Sequence, residues 1–212
     1  MTVRRAAVLG ASGHAKVVIA TLRAAGWEVA AAYDDAGERR GREVLGVPIR
    51  GPIEEAAEAG HEGVVIGVGD NRSRRDIAAR LAGGRDLPWI SVVHPEATVH
   101  ESVELGPGTV VFAGAVMQPD TVIGRHAIVN TGASVDHDCR LGDFVHVAPG
   151  ARLAGGVTVE EGAFLGIGSV VIPGLTVGAW STVGAGSAAV RPVEGGVTVV
   201  GVPARAVRRS EP

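Results

Sequence analysis

The chain has 212 residues, a formal net charge of −3 and a sequence pI of about 6.2. This charge provides no basic surface for nucleic acid, and no apolar run reaches the length of a membrane span. A single cysteine, Cys139, excludes a disulfide framework. The N-terminus lacks the pattern of a signal peptide, so a cytoplasmic protein is expected.

Short apolar runs alternate with helical patterns over residues 1–92. We predict three helices. The first runs from His14 to Ala25, with Val17 among its buried residues, and the second runs from Ile53 to Ala59. The third ends at Leu81 and is capped by Asn71 or Ser73. Strands are predicted over 4–9, 27–33, 47–49, 63–68 and 88–92. This alternation predicts an α/β, Rossmann-like domain with a parallel sheet.

Three segments follow predicted strands and should meet at one edge of this sheet: the turn 10–14, Asp34-Asp35 and the segment 69–71. Backbone N–H groups of the turn suit a phosphate, and either aspartate could accept hydrogen bonds from a ribose or a base. The turn reads G-x-x-G-H, which departs from the G-x-G-x-x-G of dinucleotide sites. A nucleotide-sugar site is therefore favoured over NAD and over a purely structural turn.

From residue 93 onward, the sequence repeats with a period of six, which fits neither a helix nor an ordinary strand. It fits a solenoid in which three hexapeptides close one coil, and residues 18 apart stack at about 4.8 Å. We predict this domain over 93–190, followed by a C-terminal tail over 191–212. Fifteen aliphatic residues define the repeat: Val99, Leu105, Val111, Met117, Ile123, Val129, Val135, Leu141, Val147, Leu153, Val159, Leu165, Val171, Val177 and Val183.

Within the solenoid, His137 lies between Asp136 and Asp138, in a predicted corner. Flanking carboxylates can fix the tautomer of a histidine and raise its basicity, which suits a general base, although a solvated surface triplet is an alternative. One coil further along is Gly155, whose backbone N–H could serve as an oxyanion donor. Cys139 is expected to face the core.

The outward-facing His146 is nine residues from His137, which is half a coil. If both histidines serve one site, that site must lie between subunits. A zinc site like that of γ-class carbonic anhydrases would need histidines that stack on one another in the solenoid. His126, His137 and His146 are not spaced so that they stack, so no metal is expected. A non-catalytic solenoid scaffold is a further alternative, against which the N-terminal domain and the Asp-His-Asp triplet argue.

The whole chain resembles the sialic acid O-acetyltransferase-like branch of the hexapeptide-repeat acyltransferases, which includes N-acetyltransferases of nucleotide-linked 4-amino sugars. The matching segments are 10–14, 34–35, 69–72, 130–139, 144–147 and 201–205. The resemblance implies a left-handed parallel β-helix, a homotrimer and acetyl-CoA as co-substrate. It implies N-acetylation of a UDP- or GDP-linked 4-amino-6-deoxy sugar, with O-acetylation of a sialic acid as the alternative.

The resemblance also implies roles for individual residues. His137 matches the general base and Asp138 the neighbouring acid, while Gly155 matches the backbone donor. The acetyl-CoA contacts match His146, Gly155, Ile167 and Ala185. Arg205, Arg208 and Arg209 would meet the CoA phosphates or form a solvated basic tail. The nucleotide-sugar site matches Ser12, Gly13, His14, Asp34, Asp35, Gly69 and Arg72.

Overall fold

The computed structural model describes residues 4–83 and 87–209. The chain divides into two compact units, one ending at Pro95 and the other beginning at Glu96. An α/β unit is followed by a parallel β-solenoid, which confirms the predicted fold class.

The N-terminal unit is built on a three-stranded parallel sheet in the order β2-β1-β5. Single parallel bridges extend the sheet, from Ala32 to Ile49 on one side and from Val64 to Trp89 on the other. Its elements are β1 (Arg5–Leu9), α1 (Gly13–Ala24), β2 (Glu28–Tyr33), a 3₁₀ helix (Gly37–Arg39), β3 (Glu43–Val44), β4 (Val47–Pro48), a second 3₁₀ helix (Ile53–Ala57), β5 (Gly63–Ile66), α2 (Asn71–Leu81) and β6 (Val92–Val93).

Three local predictions in this unit are wrong. The cap of α2 is Asp70, whose Oδ1 accepts a hydrogen bond from the Ser73 N–H at 2.8 Å. Val17 is 41% exposed, because the stripe formed by Ala15, Val18, Ile19 and Leu22 takes up the buried face of α1. The segment predicted as a helix to Ala59 is a 3₁₀ helix that ends at Ala57.

The second unit consists of short strands that coil around an aliphatic interior. The strands are β7 (Thr98–Val99), β8 (Glu104–Leu105), β9 (Val110–Val111), β10 (Val116–Met117), β11 (Val122–Ile123), β12 (Ile128–Val129), β13 (Ser134–Val135), β14 (Arg140–Leu141), β15 (His146–Val147), β16 (Arg152–Leu153), β17 (Thr158–Val159), β18 (Phe164–Leu165), β19 (Val170–Val171), β20 (Thr176–Val177), β21 (Thr182–Val183), β22 (Ala188–Ala189), β23 (Val197–Val200) and β24 (Arg205–Arg209).

Every third strand belongs to the same parallel sheet, so the solenoid has three faces. The first face holds β7, β10, β13, β16, β19 and β22; the second holds β8, β11, β14, β17 and β20; the third holds β9, β12, β15, β18, β21 and β23. The register is 18 residues per coil, as in the pairs Met117–Val135 and Val135–Leu153. The last coil is shorter, because Val183 pairs with Val199.

The aliphatic series fills the interior, as predicted. Its members from Val111 to Val183 are at most 3% exposed, whereas Val99 and Leu105 are only partly buried. At the other end, β24 pairs antiparallel with β23 and closes the third face. The segment predicted as a tail thus contributes two strands to the solenoid.

Candidate active site

The Gly-rich turn lies between β1 and α1, at the carboxyl edge of the sheet. Gly10 adopts a φ of +103°, and a β-carbon there would lie 2.7 Å from Cγ2 of Val68. Glycine is therefore required both for the backbone conformation and for the close approach. Ser12 is the N-cap residue of α1, but its side chain makes no capping hydrogen bond. Ser12 and Gly13 are exposed, so the first turn of α1 presents polar groups to solvent.

Asp34 and Asp35 follow β2, and hydrogen bonds within the protein engage both carboxylates. Asp34 Oδ2 accepts from the Ala11 N–H at 2.7 Å and from Arg39 at 2.9 Å. Asp35 accepts from the Ile53 N–H at 3.1 Å and from Arg80 at 2.9 Å. The hydrogen bond with Arg80 lowers the pKa of Asp35. Asp34 thus joins the Gly-rich turn to the end of β2, as the parallel sheet predicts.

His14 and Gly69 are in contact at the same edge. A β-carbon on Gly69 would lie 3.4 Å from Cγ of His14. Burial, together with the charge of Arg74, lowers the pKa of His14 to about 4, so the imidazole is neutral at pH 7. Arg72 is half-buried on the first turn of α2.

Sequence reasoning missed Arg74, which is 1% exposed. Its guanidinium donates to the carbonyl oxygens of Gly69 at 2.9 Å and Val68 at 3.4 Å. Burial lowers the pKa of Arg74 to about 9, and the charge of Asp70 opposes that shift. These carbonyls belong to the loop between β5 and α2, so the buried Arg74 side chain stabilises this loop.

His137 lies in the corner between β13 and β14, where the first and second faces meet. Its Nδ1 is 2.7 Å from Oδ2 of Asp138, and its backbone N–H donates to Asp136 at 2.8 Å. A carboxylate only accepts, so Nδ1 carries a proton, and when the ring is neutral its lone pair is on Nε2. The hydrogen bond to Asp138 raises the pKa of His137, and the charges of both aspartates add to this effect.

Gly155 lies directly against the imidazole, as the 18-residue stacking predicts. A β-carbon on Gly155 would lie 2.5 Å from Nε2 of His137. The next residue in the corner, Gly156, donates its N–H to the carbonyl of His137 at 2.9 Å. The corner therefore combines an exposed imidazole, its carboxylate partner and a glycine that leaves room above the basic nitrogen.

His146 lies on the third face, in β15, and is only 7% exposed. Its Nε2 is 3.0 Å from the Asn130 side-chain amide, and its ring packs edge-on against Phe164 at 5.2 Å. The Thr131 N–H donates to Asn130 Oδ1 at 2.8 Å, so the amide nitrogen of Asn130 faces His146. Because this amide nitrogen is a donor, Nε2 of His146 is the acceptor in the hydrogen bond.

Ile167 and Ala185 occupy equivalent positions, one coil apart, in the corner between the third and first faces. Ile167 is 61% exposed and Ala185 is also exposed, so this corner offers an apolar surface. Arg205 is exposed and donates to the carbonyl of Ala204 at 2.8 Å. The side chains of Arg208 and Arg209 lie outside the described residues.

The predicted site residues of the solenoid thus form two groups. The first group, in the corner between the first and second faces, is His137, Asp138 and Gly155. In the second group, His146 lies on the third face, and Ile167 and Ala185 lie in the corner between the third and first faces. In a triangular coil, the corner between the first and second faces is opposite the third face. One chain does not bring the two groups together.

His126 lies in the remaining corner, buried and stacked on Phe144 with ring centroids 5.4 Å apart. Across residues 4–83 and 87–209, no group of three His, Cys, Asp or Glu side chains is arranged to hold a metal ion. Within the same ranges, none of the helices has the length and apolar character needed to cross a bilayer.

Comparison with known proteins supports one family. The PglD N-terminal domain model matches residues 5–81. A UDP-N-acetylbacillosamine N-acetyltransferase of Bacillus subtilis (strain 168) is 40% identical over 113 residues, 52% of each chain, so the match spans about half of that curated relative.

Several solved structures match nearly the whole chain. PerB from Caulobacter crescentus, in complex with CoA and GDP-perosamine, is 44% identical with a TM-score of 0.90, over 98% of this chain and 99% of that chain. The acetyltransferase domain of PglB from Neisseria gonorrhoeae FA1090, in complex with acetyl coenzyme A, is 37% identical with a TM-score of 0.87, over 97% and 100%. This chain therefore belongs to the family of nucleotide amino-sugar N-acetyltransferases built on a left-handed parallel β-helix.

Proposed function

We propose that this protein transfers the acetyl group of acetyl-CoA to the amino group of a nucleotide-linked 4-amino-6-deoxy sugar. The observation that carries the proposal is the exposed corner in which Nε2 of His137 lies against Gly155, while Nδ1 is held by Asp138. Family membership supplies the class of substrates, since PerB was solved with CoA and GDP-perosamine.

In the proposed mechanism, acetyl transfer is direct. The amine attacks the thioester carbonyl as His137 Nε2 accepts its proton, so the C–N bond forms and the carbonyl oxygen takes up the negative charge; the C–S bond then breaks as the carbonyl re-forms. CoA leaves as a thiolate and takes up the proton, giving an amide and free CoA. The Gly155 N–H stabilises the oxyanion, and Asp138 stabilises the imidazolium. No covalent acyl-enzyme is required, since Cys139 is buried in the core.

The N-terminal unit is proposed to bind the nucleotide. The exposed N-terminus of α1 offers backbone N–H groups to the diphosphate, and the Ser12 hydroxyl is available because it does not cap the helix. Asp34 and Arg74 hold the loops that surround this surface. The neutral His14, with Gly69 beside it, and Arg72 on the first turn of α2 would contact the nucleotide or the sugar.

The active form is proposed to be a homotrimer with sites between subunits. The two groups of residues lie on opposite sides of the solenoid in one chain, so the acetyl-CoA-contacting residues of one subunit must reach the His137 corner of another. The exposed Ile167 would then line the pantetheine channel.

The test is release of CoA from acetyl-CoA, followed by free-thiol detection, across a panel of acceptors. The panel holds UDP-, GDP- and dTDP-linked 4-amino-6-deoxy sugars, together with free and CMP-linked sialic acid. We expect turnover on one amino sugar and a decrease in kcat of at least about 100-fold in His137→Ala, with acetyl-CoA affinity retained. Turnover only on sialic acid would assign O-acetylation instead, and normal turnover by His137→Ala would refute the base assignment.

A further inference from the structure

Buried polar side chains fasten several turns of the solenoid from inside. Thr109 Oγ1 donates to the carbonyl of Gly124 at 2.8 Å, and Thr121 Oγ1 donates to the carbonyl of Asp136 at 2.9 Å. Cys139 Sγ donates in the same way to the carbonyl of Ala154 at 3.3 Å. All three donors are completely buried. Burial raises the pKa of the Cys139 thiol, so it keeps its proton.

Two of these hydrogen bonds fasten the turns of the proposed active site. Thr121 holds the carbonyl of Asp136, which immediately precedes His137. One coil further along, Cys139 holds the carbonyl of Ala154, which immediately precedes Gly155. Val157 follows in the same column and has no side-chain donor. In this column, the side-chain donors Thr121 and Cys139 therefore occur at the turns that carry the base and the backbone N–H. Packing alone would require only a small residue at these positions.

The direction of a carbonyl fixes the direction of the next N–H. In a trans peptide the C=O and N–H bonds point in opposite directions. Because the Ala154 carbonyl points inward to Cys139, the Gly155 N–H points outward. No acceptor for this N–H is found among the residues that the structure describes. The outward direction is also the side of the imidazole, since Nε2 of His137 lies against Gly155.

We infer that Cys139 is a positioning residue for acetyl transfer: its buried thiol orients the Ala154–Gly155 peptide so that the Gly155 N–H points at the developing oxyanion beside His137. The inference rests on the proposed function. Cys139 forms no bond to the substrate and exchanges no proton during transfer. It contributes by holding the Gly155 N–H in one direction, so that this N–H still points at the oxyanion as negative charge develops.

The experiment compares Cys139→Ala with Cys139→Ser, using steady-state kinetics for both substrates. We expect Cys139→Ala to lower kcat roughly tenfold, part of the roughly 100-fold cost of losing an oxyanion donor, with little change in either KM. Cys139→Ser retains a donor and should recover most of kcat. The acidic limb of the pH–rate profile should stay in place in both variants, because His137 and Asp138 are unchanged.

Thr109→Val is the control, since it removes the same kind of hydrogen bond at a corner without His137, together with the bond that Thr109 Oγ1 accepts from the Ala127 N–H at 3.1 Å. Its kcat should equal that of the wild type. If Cys139→Ala fails to fold, Cys139→Val removes the same donor with a side chain that the column already holds at Val157, and it should also lower kcat. Wild-type kcat in Cys139→Ala, or an equal loss in Thr109→Val, would overturn the inference while the wild type stays active. Absence of transferase activity in the wild type itself would overturn the proposed function as well.

Discussion

The protonation of His137 depends on its neighbouring carboxylates, and Asp138 is the closer of the two. Asp138 has a φ of +59°, in the left-handed region that asparagine also tolerates. Asp138→Asn should therefore preserve the turn while removing the charge. This makes the substitution a clean probe of the pKa of the base.

We predict that Asp138→Asn moves the acidic limb of the profile of log kcat/KM against pH to lower pH. Asp138 raises the pKa of His137, and the ring must lose its proton to act, so removing the charge frees the base at lower pH. The plateau rate should fall roughly tenfold, because the imidazolium loses its counterion. A limb that stays in place or moves to higher pH would contradict this assignment.

Gly155 tests the geometry of the same corner. Gly155→Ala retains the backbone N–H but puts a methyl group where Nε2 of His137 now lies. We predict that kcat falls at least roughly tenfold, since a displacement of about 1 Å at a reacting group can cost 100-fold. Thermal stability should change little, because the exposed ring can rotate away.

The control for Gly155→Ala is the same substitution in the His137→Ala background. With no imidazole to displace, Gly155→Ala should have no further effect on the residual rate. Equal losses of rate in both backgrounds would show that the methyl group acts on the substrate or on the turn, and not on the base.

At the scale of single residues, the sequence predicts the contacts that follow from the repeat period of the solenoid, but not how deeply an individual side chain is buried. The 18-residue stacking predicts that Gly155 lies against His137, and the structure has this contact. Arg74 reads as a surface charge among the polar residues of α2, yet it is 1% exposed. Only the packing of the loop after β5 reveals its burial. The same holds for the amide of Asn130 at His146.

At the scale of elements, the two helices of the N-terminal unit differ in how they begin. Asp70 caps α2 through the Ser73 N–H and hydroxyl, whereas Ser12 at the start of α1 makes no capping hydrogen bond. Under the proposed function, helix capping and ligand binding are carried out by different residues. This contrast gives a matched pair of substitutions.

We predict that Asp70→Ala lowers the free energy of unfolding by about 1 kcal/mol, the usual cost of a lost N-cap. Ser12→Ala should leave stability within about 0.5 kcal/mol of the wild type. Chemical denaturation of the full chain measures both. Ser12→Ala should instead raise KM for the nucleotide sugar, and a wild-type KM would remove Ser12 from the proposed nucleotide site.

The boundaries of elements are less predictable from the sequence than their existence. The parallel strands β1, β2 and β5 and the helices α1 and α2 all form where alternation predicts them. The predicted strand over 63–68 ends at Ile66, because Gly67 and Val68 belong to the loop that Arg74 holds. The competition between a strand and a hydrogen-bonded loop is decided by a side chain several residues away.

At the scale of the whole molecule, the proposed trimer predicts complementation between inactive variants. His137→Ala removes the base, and Ile167→Glu places a charge in the proposed pantetheine channel. When the two chains are co-expressed, about one quarter of the interfaces should pair an intact base with an intact channel. Turnover should rise to about that fraction of the wild-type rate. Activity no higher than that of each variant alone would indicate sites within single subunits.

The period of six predicts the solenoid, its coil length and its inward residues, but not the sense of its winding. Either hand would stack the same residues and bury the same aliphatic side chains. The left hand was implied by resemblance, and the match to PerB at a TM-score of 0.90 supports it. The shortened last coil, in which Val183 pairs with Val199, also departs from the uniform repeat.

The constant register restricts how the length of this protein can vary during evolution. Because each coil takes three hexapeptides, an insertion or deletion within the strands that is not a multiple of six turns aliphatic side chains outward, and one of six or twelve residues moves every strand beyond it to another face. Gain or loss of a complete coil preserves the interior, but within the segment 119–156 it would change which turn lies against His137. Homologues of different lengths should therefore differ by whole coils outside the segment 119–156, or by loops at the corners.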